Sequence, residues 1–151
     1  MSIMLSRRRW LVGAAVLIAV AGAVVGIRVF YPGQWSCVVG AGHVPVPADD
    51  AGPDVVVRTY LRALSAHDRS TAQELYPGGV DGKSCNIRSI QDVRVAAVSV
   101  TEDRVRVTAQ YTQTSFDEAE SGSADGPVGR NYYLDRTRDR GTWRIVDAGQ
   151  G

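Results

Sequence analysis

The sequence predicts an α+β domain, with two helices packed on a bent, cone-like, four-stranded antiparallel sheet, behind an N-terminal transmembrane helix. Three observations lead to this fold class. Residues 10–27 are apolar and uncharged, residues 53–76 repeat apolar side chains at helical spacing, and residues from 90 onward alternate with a period of two. About 120 residues follow the membrane segment, which is enough for one domain with a single core.

The apolar run at residues 10–27 can cross most of a bilayer, because a helix rises 1.5 Å per residue and the hydrocarbon core is about 30 Å thick. Three arginines at positions 7–9 precede the run and only Arg28 follows it closely. The positive-inside rule therefore keeps the N-terminus in the cytoplasm and places the C-terminal domain on the outer side of the cell membrane. The predicted organisation is a cytoplasmic basic tail (1–9), a single-pass anchor (10–30), a linker (31–52) and an extracytoplasmic domain (53–149).

Two other export routes stay open beside the uncleaved anchor. A basic segment, an apolar segment and the small residues at 21–23 are also the ingredients of a cleavable signal peptide. The segment at 6–11, SRRRWL, resembles a twin-arginine signal, although Val12 stands where lysine is usual. Apolar residues continue past position 23 as far as Ile27, which favours the uncleaved anchor. All three interpretations place the domain outside the cytoplasm.

The region after residue 30 carries sixteen acidic and thirteen basic residues, a net charge of −3. This charge argues against a nucleic-acid partner, since phosphate binding needs a clustered excess of Lys and Arg. Cys37 and Cys85 both lie on the exported side, where disulfides persist, and predict a bridge that ties the linker to the domain. By removing chain entropy from the unfolded state, a bridge that closes a loop of this length would stabilise the fold by roughly 4 kcal/mol. Neither a metal site nor a cofactor is predicted, because the two cysteines and two histidines show no paired ligand spacing.

Local signals place the two helices. Residues 31–52 contain prolines and glycines without a regular period and indicate an extended linker. Pro53 suits the first position of a helix, and Gly52 is an acceptable cap before it. Residues 70–73, Ser-Thr-Ala-Gln, fit a capping box and predict the start of a second, shorter helix.

The strands are predicted from alternation. Val93 and Val95 share one phase and Val98 and Val100 share the other, so a bulge is expected at residues 96–97. The remaining strands are predicted at residues 105–111, near 130–136 and from 143 onward.

The order of two helices followed by four strands, together with the segments VVVRTYLRALSAHDRSTAQEL and TWRIVDAGQG, resembles the nuclear-transport-factor-2-like superfamily, a cystatin-like α+β cone. Ala63, Leu64 and Asp68 are similar to the turn that joins the first two helices there, and Trp143 is similar to the start of the last strand. The resemblance covers residues 52–149 and implies a cone fold. The superfamily includes isomerases, dehydratases and membrane-tethered actinobacterial proteins of unknown role, and the Arg-, Ala-, Val- and Gly-rich composition resembles that of a high-GC actinobacterial genome. Fold alone does not choose among these roles.

The first functional hypothesis is a binding or accessory module of the cell envelope, acting through contacts with an envelope protein or a second copy. A cluster of basic side chains on the predicted sheet could face an acidic partner or anionic headgroups near the membrane. This candidate anionic-partner face comprises Arg104, Arg106, Arg130, Arg136, Arg138 and Arg144.

The alternative hypothesis is a small lyase or isomerase that uses the cavity of the cone. A tyrosine and a carboxylate could together stabilise an enolate and move its proton. The candidate pocket residues are His67, Asp68, Tyr111, Tyr132 and Asp135. His67 and Asp68 also suit the end of a helix, and Tyr111 and Tyr132 are in phase with core positions. Structural roles are therefore expected for these residues, and the sequence favours the binding module over an enzyme.

Overall fold

The computed structural model describes residues 42–80, 83–99, 104–117, 125–137 and 141–150, which form two helices packed on an open four-stranded antiparallel sheet. The strands lie in the order β1-β2-β3-β4, so each pairs with its neighbour along the chain. This confirms the predicted α+β architecture of the domain. The elements are α1 (Pro53–Ser65), α2 (Arg69–Leu75), a 3₁₀ turn (Lys83–Asn86), β1 (Ile87–Ser99), β2 (Arg104–Ser115), β3 (Gly126–Arg136) and β4 (Trp143–Gln150).

The predicted anchor at residues 10–30 lies outside the described residues. None of the helices within the described ranges combines the length and the hydropathy that a membrane span requires. Cys37 also lies outside these ranges, whereas the Cys85 sulfur is not a free thiol. The bridge between the two cysteines stays a prediction.

Helix α1 begins as the sequence predicts. Gly52 is its N-cap in extended conformation, Pro53 occupies the first turn and Asp54 places a negative charge near the positive end of the helix dipole. Its apolar side chains recur at helical spacing and one face of the helix is buried. The buried residues of α1 are Val56, Val57, Tyr60, Leu61, Ala63 and Leu64.

The two faces of the sheet differ in burial. In β2 the core side chains Val105, Val107, Ala109 and Tyr111 alternate with polar ones, because successive side chains of a strand point to opposite faces. We call the side away from the core the outer face. It is formed by residues 104, 106, 108, 110 and 112 of β2, residues 129, 131, 133 and 135 of β3, and residues 94, 96 and 98 of β1, and their cross-strand partners.

The bulge in β1 lies earlier than the alternation predicts. The register with β2 shifts between Gln91 and Arg94, and regular pairing then continues through Ser99. Val98 is simply an apolar residue on the outer face, where it is 45% exposed. The prediction of a bulge at residues 96–97 is therefore wrong. The apparent change of phase in the valine pattern arises because Val98 is exposed on the outer face.

Two side chains of α1 hydrogen-bond to the backbone of β1, which is an edge strand. The Ile90 amide donates to Ser65 Oγ at 3.1 Å, and Arg58 Nη1 donates to the Val93 carbonyl at 3.2 Å. These bonds satisfy backbone groups that an edge strand otherwise leaves open to pairing with another chain. Helix α1 thus covers β1 at its bulge.

Candidate functional site

The turn between α1 and α2 holds the first two residues of the predicted pocket. The His67 amide donates to the Leu64 carbonyl and the Asp68 amide donates to the Ala63 carbonyl. This pair of bonds is the Schellman arrangement that ends many helices. His67 has a φ of 57°, the left-handed conformation in which glycine is usual. The position of His67 is therefore determined by helix termination.

The Asp68 carboxylate is the N-cap of α2, two residues before the predicted capping box. Its Oδ1 accepts hydrogen bonds from the Thr71 amide at 3.2 Å and from Ser70 Oγ at 2.6 Å, and its Oδ2 accepts from the Val44 amide at 2.8 Å. Burial alone would raise the pKa of Asp68, but these hydrogen bonds outweigh it and hold the pKa well below its usual range. Asp68 is thus a buried carboxylate that stays ionised and is fully engaged by the fold.

Asp68 also fixes part of the predicted linker, which we call the strap (residues 42–46). The Val44 amide donates to Asp68, and the Val44 carbonyl accepts a hydrogen bond from Thr71 Oγ1 at 2.8 Å. The Val44 side chain is buried. His43 Nδ1 lies 3.6 Å from Asp68 Oδ2, although the His43 side chain is largely exposed. The linker is therefore bound to the domain at Val44, a contact that the sequence does not predict because its two halves lie 24 residues apart.

The space around His67 is too small for a substrate. A cavity of about 20 Å³ adjoins His67 and Asp68, with Leu64, Val80 and Cys85 among its walls. That volume is close to the room needed by one water molecule. The imidazole stacks on Phe116 with ring centroids 5.8 Å apart, and burial lowers the pKa of His67. These observations assign His67 and Asp68 to the support of the fold.

Replacing His67 tests this assignment. We expect His67→Gly to raise the free energy of unfolding by about 1 kcal/mol, because glycine adopts the left-handed conformation without the steric cost of a Cβ. Ala66→Gly is the matched control, since Ala66 caps the same helix with an ordinary φ of −86° and should lose stability instead. Urea unfolding of both variants measures the difference. A loss above about 1 kcal/mol in His67→Gly would show that the imidazole does more than end the helix.

Tyr111 and Tyr132 lie in the interior between the helices and the sheet. Tyr132 is 1% exposed and its ring meets that of Tyr60 edge-to-face, with centroids 5.9 Å apart. Burial first, and then the neighbouring Tyr111 hydroxyl to which it is hydrogen-bonded, raise the pKa of Tyr132 well above its usual value. Tyr76 extends the cluster, with its ring 5.8 Å from that of Tyr60. The tyrosines are therefore packed against one another as core side chains.

Asp135 and two of the predicted arginines lie on the outer face. Arg104 forms a bidentate ion pair with Asp135 at 2.6 and 2.7 Å, and this bond holds the pKa of Asp135 below its usual value. Arg106 pairs in register with Tyr133, and its Nε is buried without a hydrogen-bond partner among the described residues. Asp135 thus lies on the opposite side of the sheet from Tyr132. Arg138 lies outside the described residues.

The other predicted arginines have separate surroundings. Arg130 and Arg136 share the phase of the core-facing residues of β3, and the Arg136 guanidinium lies 5.0 Å from the centre of the Trp143 ring. Arg144 Nη2 donates to Glu74 of α2 at 3.3 Å. The described arginines are therefore divided between the two faces of the sheet, and Arg144, which pairs in register with Asp135, reaches across to α2.

The outer face contains an open groove that sequence analysis missed. The groove has a volume of about 520 Å³ and lies across the first three strands. Arg94, Gln110 and Gly129 form one cross-strand row in it, and Asp92 projects from the bulge at one side. No sequence motif marks it, because strand register brings these residues together from three segments. Its full lining is Asp92, Arg94, Gln110, Tyr111, Thr112, Pro127, Val128 and Gly129.

Within the described residues, no group of three or more His, Cys, Asp or Glu side chains is placed to hold a metal ion. Comparison with known proteins gives no match, either among protein-family models or among curated proteins.

Proposed function

We propose that this chain is a membrane-anchored, extracytoplasmic module of the cell envelope that acts by binding a protein partner through the outer face of its sheet. The observation that supports this most strongly is the filled interior. Leu64, Tyr111, Tyr132 and Trp143 belong to one buried cluster between the helices and the sheet. The volume in which a cone-shaped enzyme would hold its substrate is here occupied by side chains.

The alternative function, a lyase or isomerase, requires a carboxylate that can act on a substrate, but both candidate carboxylates are already bound to other parts of the fold. The Asp68 carboxylate accepts three hydrogen bonds from the fold, and Asp135 is paired with Arg104 on the outer face. A general base must reach the proton that it removes in a bound substrate. Neither carboxylate faces the tyrosine cluster, so the geometry favours binding over this chemistry.

The strap supports a position close to the membrane. Thirteen residues (31–43) lie between the end of the predicted anchor and Val44, and an extended chain of that length spans at most about 50 Å. Val44 is bound to the domain by Asp68 and Thr71. The domain is therefore expected to meet partners at or near the membrane surface and not to swing freely at the end of its linker.

Site-specific photocrosslinking tests the proposal in cells that produce the full chain. A photoreactive residue is placed at Val98 or Tyr133 on the outer face, and at Arg62 or Gln73 on the helices as controls; Val98, Arg62 and Gln73 are exposed and Tyr133 is half-buried. We expect discrete adducts from the first pair and none from the second, with mass spectrometry separating an envelope protein from a second copy. Adducts from the helical positions alone, or from none of the four, would contradict binding through the outer face.

A further inference from the structure

We propose that the groove on the outer face binds a short peptide with free charged ends. This inference goes beyond the proposed contact with a protein partner, because it assigns a separate small-ligand site to the same outer face. The groove is defined by its lining residues in β1, β2 and β3, and none of them was predicted as a site except Tyr111.

One wall of the groove is a glycine without a side chain. Gly129 lies beside Gln110 in the register of β2 and β3. A Cβ built at Gly129 meets no atom within 4 Å, so the missing side chain leaves open space above the strand. The resulting volume of about 520 Å³ falls within the usual range of small-ligand sites. A short extended peptide fits an open trough of this size.

The bulge gives the groove a carboxylate in a costly conformation. Asp92 has a φ of 54°, and left-handed backbone is uncommon for residues other than glycine. Its side chain is exposed and takes part in no hydrogen bond or ion pair among the described residues. The register shift of the bulge accommodates this conformation, and the carboxylate it carries lines the groove.

Two opposite charges at the groove select the ligand. Asp92 can accept from an ammonium group, and Arg94, whose guanidinium has no ion-pair partner among the described residues, can bind a carboxylate. A purely anionic or cationic ligand would meet one repulsive charge, whereas a peptide with free ends matches both. Gln110 and Thr112 offer amide and hydroxyl groups to a peptide backbone. The Tyr111 ring is buried and leaves no exposed aromatic surface on which a sugar could stack.

Amide chemical shifts of the full-length chain in detergent micelles provide the test, with trialanine as the probe. We expect saturable shift changes at Gln110 and Gly129 with a dissociation constant on the order of 1 mM, because both charges are exposed. N-acetyl-trialanine amide, which lacks both charges, should bind at least about threefold more weakly. Asp92→Asn and Arg94→Gln should each weaken trialanine binding by about two- to fivefold.

Gly129→Leu supplies the decisive variant, since a Cβ at Gly129 meets no atom within 4 Å and the leucine side chain would occupy part of the groove. It should reduce trialanine binding at least about tenfold. Gly149→Leu is the matched control, because Gly149 is also open, lies in β4 beside Asn131 and does not line the groove. A well-dispersed spectrum verifies that each variant is folded. Absence of saturable shifts, equal binding of the capped peptide, or undiminished binding in Gly129→Leu would each overturn the peptide site. Crosslinks from Val98 and Tyr133 that persist in such a case would leave the proposed function standing.

Discussion

Tyr132→Ala is expected to lower the free energy of unfolding by about 3–5 kcal/mol, the range found for removing a large buried aromatic side chain. Tyr132 is 1% exposed and its ring contacts Tyr60. Core residues on both sides, such as Leu61 and Val107, are themselves fully buried, so the site has little freedom to collapse. Guanidinium unfolding monitored by circular dichroism gives the value.

Tyr132→Phe separates packing from hydrogen bonding. It keeps the ring and removes the hydroxyl that is hydrogen-bonded to Tyr111, so a cost of about 1 kcal/mol is expected. If Tyr132→Ala cost no more than Tyr132→Phe, the ring would not be closely packed. The interior would then have to contain space that the structure assigns to side chains.

Asp68→Asn is expected to cost about 2–4 kcal/mol at neutral pH, because one carboxylate caps α2 and binds the Val44 amide of the strap. A lost N-cap costs typically about 1 kcal/mol, and hydrogen bonds to a charged group contribute about 1.5–3 kcal/mol each. The asparagine keeps one acceptor oxygen and loses the other. Asp135→Asn is the matched control, since it removes the same charge from an exposed ion pair and should cost less than about 1 kcal/mol.

The cost of Asp68→Asn should depend on pH in one direction. Folding lowers the pKa of Asp68, so the folded state holds this proton more weakly than the unfolded state, whose pKa is about 3.9. The stabilisation is therefore fully present above about pH 4 and is lost as pH falls through the lower pKa of the folded state. Urea unfolding between neutral and acid pH should show the difference between wild type and Asp68→Asn shrinking below about pH 4. A difference that stays constant would mean that the charge of Asp68 is not what holds the strap.

Local signals in the sequence predicted most of the fold. Gly52 and Pro53 placed the start of α1, and alternation in β2 identified its buried face. The start of α2 was assigned to Ser70 because the capping box is a local pattern, whereas Asp68 is the N-cap and also receives a bond from Val44, 24 residues away. Contacts at such separations leave no local period from which they could be predicted.

The candidate site was harder to predict than the fold. The sequence analysis placed Asp135 beside Tyr132 in one pocket. Side chains three positions apart in a strand point to opposite faces of the sheet, however, and Asp135 pairs with Arg104 on the outer face. The groove depends on the position of the bulge at Asp92, which valine alternation misplaced. Gly129 could not be identified from the sequence either, because its place in the groove depends on which residues of β2 lie beside it in register.

The ionisation of Tyr132 tests most directly the claim that the interior is a closed structural core and not a substrate pocket. Carbon-13 NMR of ring-labelled tyrosine, with Tyr132→Phe for assignment, follows each hydroxyl as pH is raised. Burial and the Tyr111 hydroxyl raise the pKa of Tyr132, so we expect its resonance to show no ionisation until the protein unfolds in alkali. Ionisation of Tyr132 at or below the ordinary value of about 10 in the folded protein would reveal a solvent-open cavity and contradict this account.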